Sequence, residues 1–368
     1  MKKIAILTYH NALNYGAVFQ AYALKEYLNR QEEVEAKILN YGGEVAKTAS
    51  KFFLFKYCIK HPSYILNLAT RIKMMRKFRE FRSVYLGVTK TRNNKIDVDF
   101  ETFIVGSDQV WNPNINSMDK TYLLDFTNKE KYAYAASLGD FRDKRILDEY
   151  FKDNLEKFTA ISLRENSSID VIKEYYSGEL ITCLDPVFLL GMNEWINLYK
   201  KDIKENVNKY ISEVTSGGYV LYFSLDLETE RLKAAAVDFA KQKNLKIIFV
   251  TDNERRERYK DLLHFGVASP IELLYLMDNA SCIFTNSFHG TALSIILHKD
   301  FFVETNIGAS NRITELIRNC GLEARGLQDG KFSGLFNEKD SDISWKKIDE
   351  NIEEMLKESK EYLKKITG

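Results

Sequence analysis

The chain has 368 residues, 45% hydrophobic and 29% charged, the composition of a folded globular protein long enough for two domains. Lys+Arg 53 against Asp+Glu 52 leaves a net charge of +1, so no global basic field serves nucleic acid and an anion must meet a local site. No run approaches the roughly 20 apolar residues of a spanning helix; four cysteines (Cys58, Cys183, Cys282, Cys320) are scattered without metal-ligand spacing, Cys183 and Cys282 inside apolar runs as buried free thiols, a usage that fits a reducing cytoplasm.

In chain order, Met1–Leu7 has the charged start of a signal peptide, but Tyr9, His10 and Asn11 cut its apolar run short, so it reads as a first strand. The pattern predicts a strand over 4–8, a helix over 17–29 and a strand over 35–39. Residues 44–90 are basic and aromatic, with apolar residues at helical spacing. A solvated helical insertion is the preferred reading there; a patch meeting an anionic membrane surface or an anionic polymer is the sharper one. Strands follow at 103–106, 132–137, 160–164 and 180–184, the last stopped by Pro186. The chain then turns polar and lysine-rich over 190–215, where the domain boundary is placed.

The second half restarts the alternation. Strands are expected at 219–224, 246–250, 281–284 and 301–303, and helices at 228–242, 270–278, 290–298 and 312–319. Strands alternating with helices mean βαβ units and parallel sheets. The expected architecture is α/β, with two Rossmann-like doubly wound domains facing a cleft. Residues 1–190 form the N-terminal domain with its insertion at about 44–90, and 215–340 the C-terminal one. A helix over 343–366 returns toward the N-terminal domain.

Ligands of open α/β sheets gather at the carboxyl ends of strands, so the polar turns after strands are the places to search. Asn14, Tyr15 and Gly16 follow the first strand together with His10; Gly16 permits close backbone approach, but no G-x-G-x-x-G is present. Ser107, Asp108 and Gln109 follow the third strand. Asp108 suits a general base or an acceptor from sugar hydroxyls, and equally a helix cap. Arg164 suits a carboxylate or phosphate clamp, and equally an ion pair with Glu165 or a neighbour. The fourth turn, Thr285-Asn286-Ser287-Phe288-His289-Gly290-Thr291, joins a buried strand to a buried helix. A helix N-terminus there offers N–H groups and partial positive charge to an anion. Arg312 enters the helix after the next strand. His298 closes a helix, where a cation is favourable, and His61 precedes Pro62 in a turn. No histidine, cysteine or carboxylate spacing suggests a metal site.

Asn14-Tyr15-Gly16-Ala17, Gly106-Ser107-Asp108-Gln109-Val110-Trp111, Ser162-Leu163-Arg164-Glu165, Leu184-Asp185-Pro186 and Ser287-Phe288-His289-Gly290 occur in this order. Together they resemble the polysaccharide pyruvyl transferase family over nearly the whole chain. The resemblance implies a GT-B-like fold, an acceptor-side N-terminal domain and a donor-side C-terminal domain. It implies transfer of a pyruvyl group from phosphoenolpyruvate to a sugar of a cell-surface polysaccharide or its precursor, such as exopolysaccharide or capsule, as a cyclic ketal. Several family members read Arg-Leu-His-Gly at the last turn. Here Ser287 and Phe288 precede His289, so Arg312, Arg164 or a lysine must replace that arginine, or the donor differs.

Such chemistry needs an anion clamp, a general acid and a base near two hydroxyls. His289 and Asp108 are the expected catalytic residues. Arg164, Arg312, Ser287, Gly290, Thr291, His10, Asn14, Gly16 and Gln109 are the expected substrate-binding ones. Phosphoenolpyruvate is a co-substrate, with neither cofactor nor metal demanded. The acceptor is a sugar, free or lipid-carried. The expected location is cytoplasmic, with peripheral contact at the inner membrane face an open variant. The rival is a GT-B-type glycosyltransferase with a nucleotide-sugar donor, and a non-catalytic sugar- or anion-binding module is a third reading.

Overall fold

The structure is a computed structural model; it describes residues 1–43, 65–89, 99–203, 207, 209, 211–212, 218–224, 230–251, 263–265, 267–305, 310–327 and 343–368. Residues 44–64 of the basic stretch, with Cys58 and His61, lie outside the described residues, as does part of the lysine-rich 190–215 segment. The chain divides into two compact units, residues 1–64, 79–190 and 352–368 in the first, 65–78 and 191–351 in the second.

The first unit is built on β1 (Lys2–Leu7), β2 (Val34–Ile38), β3 (Thr102–Val105), β4 (Glu130–Ala136), β5 (Ala160–Leu163) and β6 (Leu180–Thr182). They form a sheet in the order β2-β1-β3-β4-β5-β6, with every neighbouring pair parallel. Residues 4–7 of β1 and 103–105 of β3 are apolar and buried on both faces, as helix-covered parallel sheets require. Helix α1 (Tyr15–Asn29) follows β1, capped by the Asn14 side chain accepting from Ala17 N–H. Trp111 anchors the loop after β3: it is fully buried, edge-on to Phe151 and Phe158, and its indole N–H donates to the Tyr122 carbonyl. Truncating such a side chain costs about 3–5 kcal/mol.

The second unit holds β7 (Tyr219–Ser224), β8 (Lys246–Thr251), β9 (Leu263–His264), β10 (Cys282–Thr285), β11 (Phe301–Glu304) and β12 (Gly326–Leu327). Their order is β12-β11-β10-β7-β8-β9, again parallel throughout. Read from the other edge and numbered within the unit, that is 3-2-1-4-5-6, the doubly wound nucleotide-binding order. Tyr222, Phe284 and Phe302 pack one sheet face against Phe239 of the helix Glu230–Lys243. Both units are therefore Rossmann-like parallel α/β folds.

Differences from the sequence pattern sit at element ends. The helix after β10 spans Phe288–Ile296, starting two residues before Gly290, because extended Ser287 caps it and its hydroxyl accepts from Gly290 N–H. The edge strands β9 and β12 and the helices Lys144–Phe151 and Met192–Lys200 carried no separate signal. The final helix is Trp345–Thr367; in the first unit its Tyr362 hydroxyl donates to the Ala133 carbonyl and its Ser359 hydroxyl accepts from Leu184 N–H. Cys183, Cys282 and Cys320 are buried free thiols, and burial pushes Cys183 up to about 11 and Cys320 up to about 12. No helix among the described residues is long and apolar enough to cross a membrane.

Candidate active site

In a doubly wound sheet the ligand crevice opens where strand order reverses. In the first unit that point lies between β1 and β3, whose ends carry His10 and Asp108. The loops are tied together: Thr8 Oγ1 donates to the Ser107 carbonyl (2.9 Å) and the Tyr9 hydroxyl to the Gln109 carbonyl (3.1 Å). Asn14 caps α1 and Gly16 lies within its first turn. His10 is fully buried; its Nδ1 faces the Thr8 carbonyl at 3.2 Å, an acceptor only, so Nδ1 carries the proton of the neutral ring. Burial pushes its pKa down to about 4, with the nearby Arg82 charge acting in the same direction.

Asp108 has φ 86°, a left-handed conformation that costs a non-glycine residue about 1–3 kcal/mol unless its surroundings enforce it. Its Oδ1 accepts from Gln109 N–H (2.8 Å), and its carbonyl accepts from Ser137 N–H (3.1 Å) after β4. Gln109 Oε1 accepts from Asn112 Nδ2. Gly139, with φ +59°, makes room for Gln109, because a Cβ there would stand 2.3 Å from Gln109 Oε1.

Arg164, expected on an anion or in an ion pair, stands in an ion pair. Its side chain is 2% exposed, with Nη1 3.0 Å from Asp185 Oδ2 and Nε 3.9 Å from Glu165 Oε2. Burial disfavours its charge, but Asp185, then Glu165 and Asp108, outweigh that and hold its pKa above the usual value. Asp185 Oδ2 also accepts from Ser107 Oγ (3.0 Å). Glu165 Oε1 accepts from Ser137 Oγ, Leu138 N–H and Ser168 Oγ. The ion pair of Arg164 with Glu165 or a neighbour was one of the two readings of the sequence; the serines that each carboxylate binds were not foreseen.

In the second unit the order reverses between β7 and β10, and the His289 turn follows β10 directly. Ser287 N–H donates to Thr285 Oγ1, Gly290 N–H to Ser287 Oγ and Thr291 Oγ1 to the Ser287 carbonyl. A Cβ at Gly290 would stand 2.5 Å from Thr285 Oγ1 and 3.0 Å from Phe223 Cδ1, so the helix packs against the strand ends through that glycine. His289, 8% exposed, sits edge-on to Phe288 with centroids 5.2 Å apart. The Arg312 guanidinium carbon lies 5.8 Å from the centre of the Phe288 ring, which brings a cation to the residue preceding His289. At the end of β11 the buried Glu304 has its carboxyl pushed up by burial, which Arg231 partly offsets.

Thus His10, Asn14, Gly16, Asp108, Gln109 and Arg164 belong to strand ends of the first unit, and Ser287, His289, Gly290, Thr291 and Arg312 to the second. His298 is placed elsewhere, stacked on Trp345 with Nε2 2.8 Å from Asp349 Oδ1. Among the described residues no group of three or more His, Cys, Asp or Glu could hold a metal ion.

Two parallel α/β units, each with polar residues at its reversal point, define a two-domain fold of the GT-B-like class. That fold is shared with solved UDP-GlcNAc 2-epimerases. The enzyme from Neisseria meningitidis, bound to UDP-GlcNAc, is 9% identical with TM-score 0.51, covering 97% of this chain and 100% of the other. The Methanocaldococcus jannaschii enzyme is 12% identical with TM-score 0.50, covering 97% and 93%. Another UDP-N-acetylglucosamine 2-epimerase is 10% identical with TM-score 0.54, covering 97% and 95%. No curated protein matches the sequence. The polysaccharide pyruvyl transferase family model matches residues 14–306: the chain belongs to that family, and it is a transferase of polysaccharide biosynthesis. His10 and Arg312 fall outside the matched range.

Proposed function

We propose that the donor is phosphoenolpyruvate and that the product is a cyclic pyruvate ketal on a sugar of a cell-surface polysaccharide or its precursor. The observation that carries this reading is the His289 turn: a helix N-terminus at the reversal point of a Rossmann-like sheet, with Arg312 over Phe288. N–H groups and a guanidinium suit the phosphate and carboxylate of a small anionic donor.

Protonation of the methylene carbon makes the central carbon electrophilic. One sugar hydroxyl adds there, phosphate leaves with the electrons of its C–O bond, and a second hydroxyl closes the ketal. Of the two hydroxyl protons lost, one balances the proton gained by carbon and the other leaves with phosphate. In this scheme His289 delivers the proton or orients the phosphate, while Arg312, Ser287, Gly290 and Thr291 hold the donor. Asp108 takes a hydroxyl proton, with Gln109, His10, Asn14 and Gly16 shaping the acceptor side. The acceptor is a free or lipid-carried sugar met on the cytoplasmic side. No cofactor enters this scheme.

The test is incubation with phosphoenolpyruvate or with UDP-sugars over a panel of acceptor glycans. Phosphate release matched by a ketal on the glycan is expected. UDP release with glycosylated product would instead establish the nucleotide-sugar reading, which the epimerase-like fold keeps in view.

A further inference from the structure

We propose that Glu165 and Asp185 are positioning residues that hold the Asp108 turn in its reactive conformation, joined through the Arg164 guanidinium. This inference rests on the reading of Asp108 as the acceptor-side base.

Two arms reach the Asp108 turn. On one, Asp185 Oδ2 accepts from Ser107 Oγ at 3.0 Å, and the Ser107 carbonyl accepts from Thr8 Oγ1 at 2.9 Å. On the other, Glu165 Oε1 takes Ser137 Oγ at 3.0 Å and Leu138 N–H at 3.1 Å. The Ser137 backbone then brackets the turn, its N–H donating to the Asp108 carbonyl at 3.1 Å and its carbonyl accepting from Trp111 N–H at 3.2 Å. Ser107, Ser137, Glu165 and Asp185 are all at most 2% exposed. Between the arms Arg164 bonds Asp185 and faces Glu165, so one cation serves two buried carboxylates.

The arrangement answers a physical need. Asp108 is held at φ 86° beside β4, whose register shifts between Ala133 and Ala136 and where Ala135 has φ 49°. Strained non-glycine residues in a turn and in the strand beside it relax unless their neighbours fix them. A carboxylate whose task is to meet a hydroxyl gains from that fixing, since a displacement of about 1 Å can cost on the order of 100-fold.

Ser107→Ala and Ser137→Ala cut one arm each and leave the ion pairs in place; Glu165→Gln and Asp185→Asn perturb the ions themselves. With phosphoenolpyruvate and acceptor, each serine variant should lose roughly ten-fold or more in kcat with the KM for phosphoenolpyruvate unchanged. In an Asp108→Asn background the same serine changes should cost no more than about two-fold. Losses that persist undiminished in that background, or serine variants with wild-type kcat, would overturn the proposal. Amide hydrogen exchange over 107–111 gives a readout independent of the donor: Ser137→Ala should speed it, and unchanged exchange would also overturn the proposal. A wild-type protein that leaves phosphoenolpyruvate untouched would sink the donor assignment, and exchange would then decide the positioning claim.

Discussion

The two reversal points solve the same problem with different materials. In the first unit the turns after β3, β4 and β5 are held by buried ions, with Arg164 against Asp185 and Glu165 and each carboxylate gripping a serine. In the second unit the His289 turn is held by hydroxyls and a glycine, with Thr285, Ser287 and Thr291 bonding within the turn and Gly290 pressed against the strand ends. Buried charge enforces a strained backbone but is costly to disturb. A neutral cap leaves the helix dipole free to meet an anion. The contrast fits the proposed division, an acceptor side that holds Asp108 at φ 86° and a donor side that receives negative charge.

His289→Ala is expected to separate chemistry from folding most sharply. Phosphate release from phosphoenolpyruvate should fall roughly 100- to 10,000-fold, while the melting temperature stays near that of the wild type. Normal turnover in a folded variant would make the ring structural. Arg164→Ala should do the reverse first. It strands Asp185 and Glu165 in the interior, and denaturant melts should show a loss of about 3–5 kcal/mol. A variant as stable as wild type would remove the contrast.

His10 gives the comparison a pH signature. Its folded pKa of about 4 lies below the ordinary 6.5, so on acidification the unfolded chain takes up a proton that the folded protein refuses. Its contribution is complete above about pH 6.5 and fades toward pH 4, by about 3 kcal/mol. The stability difference between wild type and His10→Gln should therefore change over that window, and parallel pH curves would contradict this. The smallest effect is expected from Ser287→Ala, about 1 kcal/mol for a lost N-cap, with a raised KM for phosphoenolpyruvate. An unchanged KM would detach the cap from donor binding.

The fold was legible where periodicity was strong. Tyr219–Ser224 and Pro270–Asp278 sit where the sequence pattern puts them, and the βαβ alternation implies both parallel sheets. The two-residue strands Leu263–His264 and Gly326–Leu327 are too short to show a period, and Met192–Lys200 hid its buried Trp195 in a polar, lysine-rich stretch. Each candidate turn was visible because it follows an apolar strand. The linkage among Ser107, Ser137, Glu165 and Asp185 was not, since residues brought together by adjacent parallel strands share no local spacing. Nor could the pattern foresee that Asp108 has a positive φ, because a strained aspartate looks in sequence like any turn aspartate.

The division of labour between the turns is tested most directly by calorimetric titration of phosphoenolpyruvate into wild type, Arg312→Ala, His289→Ala and Asp108→Asn. Wild type and Asp108→Asn should bind it alike, and Arg312→Ala and His289→Ala should bind it weakly. Loss of binding in Asp108→Asn, with His289→Ala and Arg312→Ala unaffected, would contradict the account.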